Sequence, residues 1–329
     1  MLKMTFLDYV DEYMYYCKSK QLRPKTLSSY EQTLILFNKW LENNEIKHTE
    51  DITNRIMLSY IEDITNRGKY TVLVNSDSHK TNYPNRRRDF RNQVSITTIN
   101  NYIRNLKAFF NWMEEENDLK NPMKRIKLFP NKHNPKDFIS DEDFNKLISV
   151  FDKSYFNEYR DYCIIILLLD TGMRIGECTR ILMDDLDLQN CCINLRATET
   201  KGKKDRTVFF STKTQKILKR WINYKDRYTE TDYLFCTKAN NSPVTVSGFE
   251  SNFKSYIKRA ELKETISPHT LRNNFAKRCL MNGMDIYTLS RILGHSSVKV
   301  TEQAYLDLTT NDLKNNYVKF SPVANLKRY

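Results

Sequence analysis

Lys127–Asp137, KLFPNKHNPKD, is the stretch on which the architecture turns. It holds two prolines, two asparagines and few apolar residues, a composition that suits an exposed connection between domains. The chain changes character across it. On its N-terminal side, Leu27, Tyr30, Leu34, Phe37 and Leu41 recur at intervals of three and four, which places them on one helical face. Ile99, Ile103, Leu106, Phe110 and Met113 repeat the pattern, with Thr97 and Thr98 as expected caps. A polar stretch from about Gly68 to Ser95 interrupts these helices and carries Pro84-Asn85-Arg86-Arg87-Arg88-Asp89-Phe90-Arg91. Its arginines and turn-forming residues predict an exposed loop or ribbon. Arg86, Arg87, Arg88 and Arg91 are candidates for DNA contact.

On the C-terminal side, Ser140 and Asp143 have capping-box spacing ahead of the apolar stripe Phe144, Leu147, Ile148 and Phe151, so a second domain starts there. Arg160–Asp170 reads as a buried helix ended by Gly172. Cys191–Arg196 and Arg206–Phe210 are short β-prone runs around the polar turn Lys201-Gly202-Lys203-Lys204-Asp205, which predicts a hairpin. Helices return at about Thr212–Tyr224 and Val246–Arg259, and dominate from Ser267 onward. The expected fold class is mainly α with a small β-sheet. The domains fall at 1–126, with the basic insertion at about 68–95, then a linker 127–137, a mixed α/β domain 138–305 and a tail 306–329.

The 329 residues suffice for two domains with real cores, and 40% hydrophobic with 12% aromatic content argues for a folded chain. Fifty-three basic against 40 acidic residues give a net charge of +13, which favours a polyanionic partner, nucleic acid before an acidic membrane surface. The longest apolar run, Tyr162–Leu169, is too short to span a bilayer, and no secretion signal opens the chain. Seven scattered cysteines without a CxxC support neither a disulfide framework nor a zinc site, so a reducing cytoplasm is expected. No GxGxxG or GxxxxGK[ST] occurs among only seven glycines, which argues against a nucleotide-driven enzyme.

Several segments carry residues suited to phosphate chemistry. Thr171-Gly172-Met173-Arg174-Ile175-Gly176-Glu177 puts Arg174 where one helix ends and another begins; alone, it reads as a structural arginine paired with Glu177. Lys201 sits in the hairpin turn beside Lys203, Lys204 and Arg206, a cluster suited to contacting phosphates. Ser267-Pro268-His269-Thr270-Leu271-Arg272 reads as a helix start with His269 and Arg272 on one face, near backbone N–H groups that favour an anion. Gly294 ends the next apolar helix and leaves His295 at the turn, and Tyr305 follows on a short helix.

In this order the motifs TGMRIGE, TKGKKDR, HTLR, LGHSS and EQAY resemble the signature of the tyrosine recombinases, the phage-type integrases, which share catalytic architecture with type IB topoisomerases. More weakly, RPKTLSSY and TTINNYIRNLKAFFNWM resemble that family's helical core-binding (SAM-like) domain. The resemblance implies a C-shaped clamp on double-stranded DNA. Arg174 and Arg272 would hold the non-bridging oxygens of the scissile phosphate, and Lys201 would protonate the departing 5′ oxygen. His269 and His295 would bond the phosphate and assist proton transfer, Tyr305 would be the nucleophile, and Glu177 would support Arg174. Two departures stand out. Asn273 follows Arg272 where many relatives carry histidine, and Tyr305 lies ten positions after His295, one more than in many members. Tyr317 is the alternative nucleophile.

The chemistry is self-consistent. A phosphodiester's charge repels nucleophiles, so paired guanidinium forks stabilise its transition state. A phenol of pKa about 10 needs a positive site and a proton acceptor, and the leaving alkoxide needs an acid. No metal, nucleotide or other cofactor is implied. The resemblance implies a tetramer on paired recombination sites, accessory DNA-bending proteins as further partners, and a tail able to dock on a neighbouring protomer. The arginine insertion and the long tail favour an integrase or transposase of a mobile element. A Xer-type chromosome or plasmid dimer resolvase, a type IB topoisomerase-like activity and a non-catalytic DNA-binding regulator are the alternatives.

Overall fold

Thr5 opens the first helix by a reciprocal cap: its backbone N–H donates to Asp8 Oδ2 (2.7 Å), and its hydroxyl accepts from the Asp8 N–H (3.3 Å). In the computed structural model, which describes residues 4–74, 83–130, 137–197, 205–295, 297–298, 301–302, 314 and 317, the chain forms two compact units, Met1–His133 and Asn134–Tyr329. The first unit is built from α1 (Phe6–Ser19), α2 (Pro24–Asn43), α3 (Asn54–Asn66) and α4 (Ile96–Asn117). Leu34, Phe37 and Leu41 of α2 and Ile99, Ile103, Leu106, Phe110 and Met113 of α4 are buried, while Leu27 and Tyr30 pack at the edge of the same core. Aromatic rings fill the centre: Phe6 meets Phe37 and Phe109 edge-on, each at 5.3 Å between centroids. The cap of α4 is Ser95, whose hydroxyl accepts from the Thr98 N–H at 3.2 Å. Thr97 and Thr98 therefore stand inside the first turn, because the backbone is still extended at Ser95 and already helical beyond it.

The arginine segment folds back on the end of α3. Lys69 N–H donates to the Asn92 carbonyl (2.8 Å) and Arg91 N–H to the Lys69 carbonyl (3.1 Å), a short ribbon-like pairing. Gly68 permits it: its φ is +79°, and a Cβ there would stand 2.7 Å from the Arg91 carbonyl oxygen.

The second unit begins with α5 (Asp141–Ser149), where the Ser140 hydroxyl accepts from the Asp143 N–H. Its centre is α6 (Phe156–Thr171), buried on most sides, which is why its apolar residues run continuously instead of alternating with polar ones. The four-residue α7 (Ile175–Cys178) follows. Strands β1 (Leu186–Asp187), β2 (Cys192–Leu195) and β3 (Arg206–Phe209) form an antiparallel sheet in that order, with Ile193 opposite Val208 and Leu195 opposite Arg206. The sheet thus has the expected hairpin and one further strand, whose two residues leave no alternation to read.

Around them lie α8 (Thr212–Lys225), α9 (Val246–Arg259), α10 (Pro268–Met281) and α11 (Ile286–Leu293), with α10 packed along α6. The connection into this unit is tied to α10: Ile139 N–H donates to Asn274 Oδ1 (2.9 Å), and Arg278 bonds the Ile139 carbonyl and Asp141. Among the described residues no helix is long and apolar enough to cross a membrane.

Candidate active site

Gly172 ends α6 in the left-handed conformation (φ +63°), the one turn that both frees its carbonyl and starts α7 in a new direction. Arg174 caps α7. Its backbone N–H donates to Glu177 Oε2 (2.8 Å) and its guanidinium to Oε1 (3.0 Å), so the carboxylate fixes both the turn and the side chain. Arg206, the first residue of β3, holds the same carboxylate from the other side through two bonds of 3.0 and 2.6 Å. Glu177 is buried. Burial pushes its carboxyl up, but hydrogen bonds and charge from Arg206, then Arg174, outweigh that and hold it below the ordinary carboxylate range.

Arg272 lies on α10 and is buried, with 4% of the residue exposed. Its Nη1 donates to the Gly172 carbonyl (2.7 Å), while Nη2 donates to the Leu293 carbonyl (2.8 Å) and to His295 Nε2 (2.9 Å). A guanidinium only donates, so His295 Nε2 is the acceptor. The ring proton then sits on Nδ1, facing Thr301 Oγ1 at 2.8 Å. Gly294, left-handed at φ +64°, ends α11 and turns His295 toward Arg272. His269 is exposed in the first turn of α10, one turn before Arg272.

Three guanidinium groups, Arg174, Arg206 and Arg272, thus gather around one carboxylate. Among the described residues Arg272 has no salt bridge of its own. Burial first, and then the Arg174 charge, push its guanidinium down to about 9, against the pull of Glu177. A buried cation of this kind is stabilised by an incoming anion, and the pocket's surplus positive charge is suited to a phosphodiester.

The structure brings Arg174, Glu177, Arg272 and His295 together, with His269 on the same helix as Arg272. Lys201, Lys203, Lys204 and Tyr305 lie outside the described residues, as does the tail apart from Lys314 and the exposed Tyr317. Arg206, grouped in sequence with the DNA-contacting lysines, differs from that expectation: its guanidinium faces the protein, with 10% side-chain exposure, because Glu177 and the Ile292 carbonyl (3.2 Å) hold it there. The carbonyls of Gly172, Ile292 and Leu293 have no residue signature in the sequence, and a lone threonine such as Thr301 carries no motif that singles it out. Arg86, Arg87, Arg88 and Arg91 are all exposed and belong to the first unit. Among the described residues no group of three or more His, Cys, Asp or Glu could hold a metal ion.

Residues 137–312 match the model of the phage integrase family, and residues 10–76 match that of the phage integrase N-terminal SAM-like domain. The chain belongs to the phage integrase family. It is a tyrosine site-specific recombinase, an enzyme of DNA strand cleavage and transfer. This family member is 27% identical to the tyrosine recombinase XerC of Listeria monocytogenes serotype 4b (strain F2365), over 98% of each chain. To XerC of Pediococcus pentosaceus it is also 27% identical, over 90% of this chain and 97% of that one. Among solved structures, the Tn1549 transposon integrase in complex with a circular intermediate DNA shares the integrase fold with a TM-score of 0.72 at 20% identity, covering 96% of this chain and 100% of that one. XerH bound to a palindromic difH substrate shares it with a TM-score of 0.66 at 20% identity, covering 90% and 80%.

Proposed function

We propose that this recombinase cleaves one DNA strand at a time through a 3′-phosphotyrosine at Tyr305. The carrying observation is the buried Arg272, which among the described residues has no acidic partner and lies with Arg174 and Arg206 around the single carboxylate of Glu177. In the step, the Tyr305 phenolate oxygen bonds to phosphorus and the bond to the 5′ oxygen breaks. Lys201 gives that oxygen its proton, while His269 and His295 bond the phosphate and assist removal of the phenol proton. Arg174 and Arg272 stabilise the charge on the non-bridging oxygens. Attack by a 5′ hydroxyl on the phosphotyrosine reverses the step and joins strands, so neither metal nor nucleotide energy is consumed.

The partner is double-stranded DNA bearing recombination sites. The working assembly is a tetramer on two paired sites in the cytoplasm, with the tail exchanged between protomers and accessory DNA-bending proteins assisting. A Xer-type role, resolving chromosome or plasmid dimers, has the stronger support. The relatives named XerC match over nearly the whole chain, so the arginine segment and the tail do not by themselves point to a mobile element. Integration or transposition of a mobile element is the second reading, favoured by the exposed arginines at 86–91.

A nicked suicide substrate tests the core of this. Wild-type protein traps a covalent adduct at a 3′ phosphate, and Tyr305→Phe traps none. An adduct that persists in Tyr305→Phe and maps to Tyr317 would move the nucleophile. Sequencing the trapped DNA end then separates the roles: a chromosomal or plasmid resolution site supports the Xer-type role, and the ends of a mobile element support the other.

A further inference from the structure

Arg206 begins β3, five positions after Lys201 in the sequence. Its guanidinium holds both oxygens of Glu177 at 3.0 and 2.6 Å, and its Nε donates to the Ile292 carbonyl in α11 at 3.2 Å. The stem of the side chain lies where only glycine leaves room: a Cβ on Gly294 would stand 2.8 Å from Arg206 Cδ. Glu177 in turn fixes Arg174, while Arg272 takes the carbonyl next to that of Ile292, on Leu293, together with His295. One side chain therefore joins three things: the base of the hairpin, the carboxylate behind Arg174, and the last turn of α11 before His295. A planar fork is needed for this, since a lysine supplies the charge but cannot hold two carboxylate oxygens and a carbonyl in one plane.

We infer that Arg206 is a positioning residue for strand cleavage, which fixes the start of β3, the strand that Lys201 precedes in sequence, to Glu177 and the end of α11. The inference rests on the assignment of Lys201 as the acid for the 5′ leaving group. It also gives the surplus arginine of the TKGKKDR motif a use other than DNA contact.

The test compares suicide substrates with oxygen or sulfur at the 5′-bridging position, since a departing thiolate needs no proton. Full-length wild type, Lys201→Ala and Arg206→Lys are assayed for adduct formation and for DNA affinity. On oxygen, Arg206→Lys is expected to slow adduct formation by about 10²-fold, and on sulfur to come within ~10-fold of wild type, with DNA affinity nearly unchanged. An equal deficit on both substrates, or no deficit on oxygen, overturns the proposal. Lys201→Ala serves as the control on the underlying assignment. If sulfur rescues Arg206→Lys but not Lys201→Ala, the acid is another group and the proposal falls with that assignment; if sulfur rescues only Lys201→Ala, the acid stands and the positioning role alone falls. Thermal unfolding checks that Arg206→Lys folds, and if it does not, Arg206→Gln, which leaves Glu177 and its bonds to Arg174 in place, carries the same comparison.

Discussion

Glu177 is the residue on which the site's electrostatics balance. A buried carboxylate shared by Arg174 and Arg206 is stabilised as an anion, and the sign of its effect on folding follows. Its folded pKa lies below its ordinary value of 4.5, so its contribution is complete above that pH and is lost as pH falls through the folded value. Glu177→Gln removes one partner of buried charges and should cost about 3–5 kcal/mol near neutral pH. Urea unfolding should show the gap between wild type and variant narrowing as pH drops below 4.5, because protonation makes wild type resemble the variant. A gap independent of pH would mean that the carboxylate's charge is not what stabilises the fold. Arg272 has the opposite sign. Its charge is disfavoured by burial in the free protein, and bound phosphate offsets that cost, which ties occupancy of the site to its stability.

At the scale of elements, the turns carry the information. Helix α9 was legible to both ends, and α10 from its Ser-Pro start, because caps and periodic apolar positions encode them directly. The hairpin was legible from its two short β-prone runs around a polar turn, whereas β1, two residues long, has no pattern to detect. Convergence of Arg174, Arg272 and His295 was legible only through the family motifs. What lies between them was not: Arg206 reads the same in sequence whether its fork faces solvent or Glu177, and the carbonyls of Gly172, Ile292 and Leu293 are anonymous. These carbonyls are free because the helices stop where they do. Gly172 makes that testable. An alanine there would sit at φ +63° with its methyl against the Phe275 ring, so Gly172→Ala should destabilise the protein by about 2 kcal/mol or more. Gly176, whose added Cβ would meet only Val246 at 3.8 Å, is the control: Gly176→Ala should be neutral or slightly stabilising in the same denaturation series. Equal responses at both positions would argue that the turn is not under conformational constraint.

For the whole molecule the relevant quantity is the charge of +13 and where it is presented. The two units have separate hydrophobic cores, and a basic excess outside them is open to binding. In the first unit three of the clustered arginines lie against aromatic rings. Arg86 lies over the Tyr83 ring at 4.6 Å, Arg87 over Tyr70 at 4.5 Å and Arg91 over Phe90 at 5.4 Å. A guanidinium held against a ring gives up less rotamer freedom when it meets a phosphate. DNA affinity should therefore fall steeply with salt, with a log–log slope of about −0.9 per phosphate neutralised. Replacing Arg86, Arg87 and Arg88 together by alanine should flatten that slope by up to ~3 without changing the preference between cognate and unrelated duplexes, since phosphate contacts carry no sequence information. Fluorescence anisotropy across a salt series on both duplexes measures the two quantities at once. An unchanged slope would assign the segment to solvated surface, whereas a lost preference would mean that these arginines reach base edges and help to choose the site.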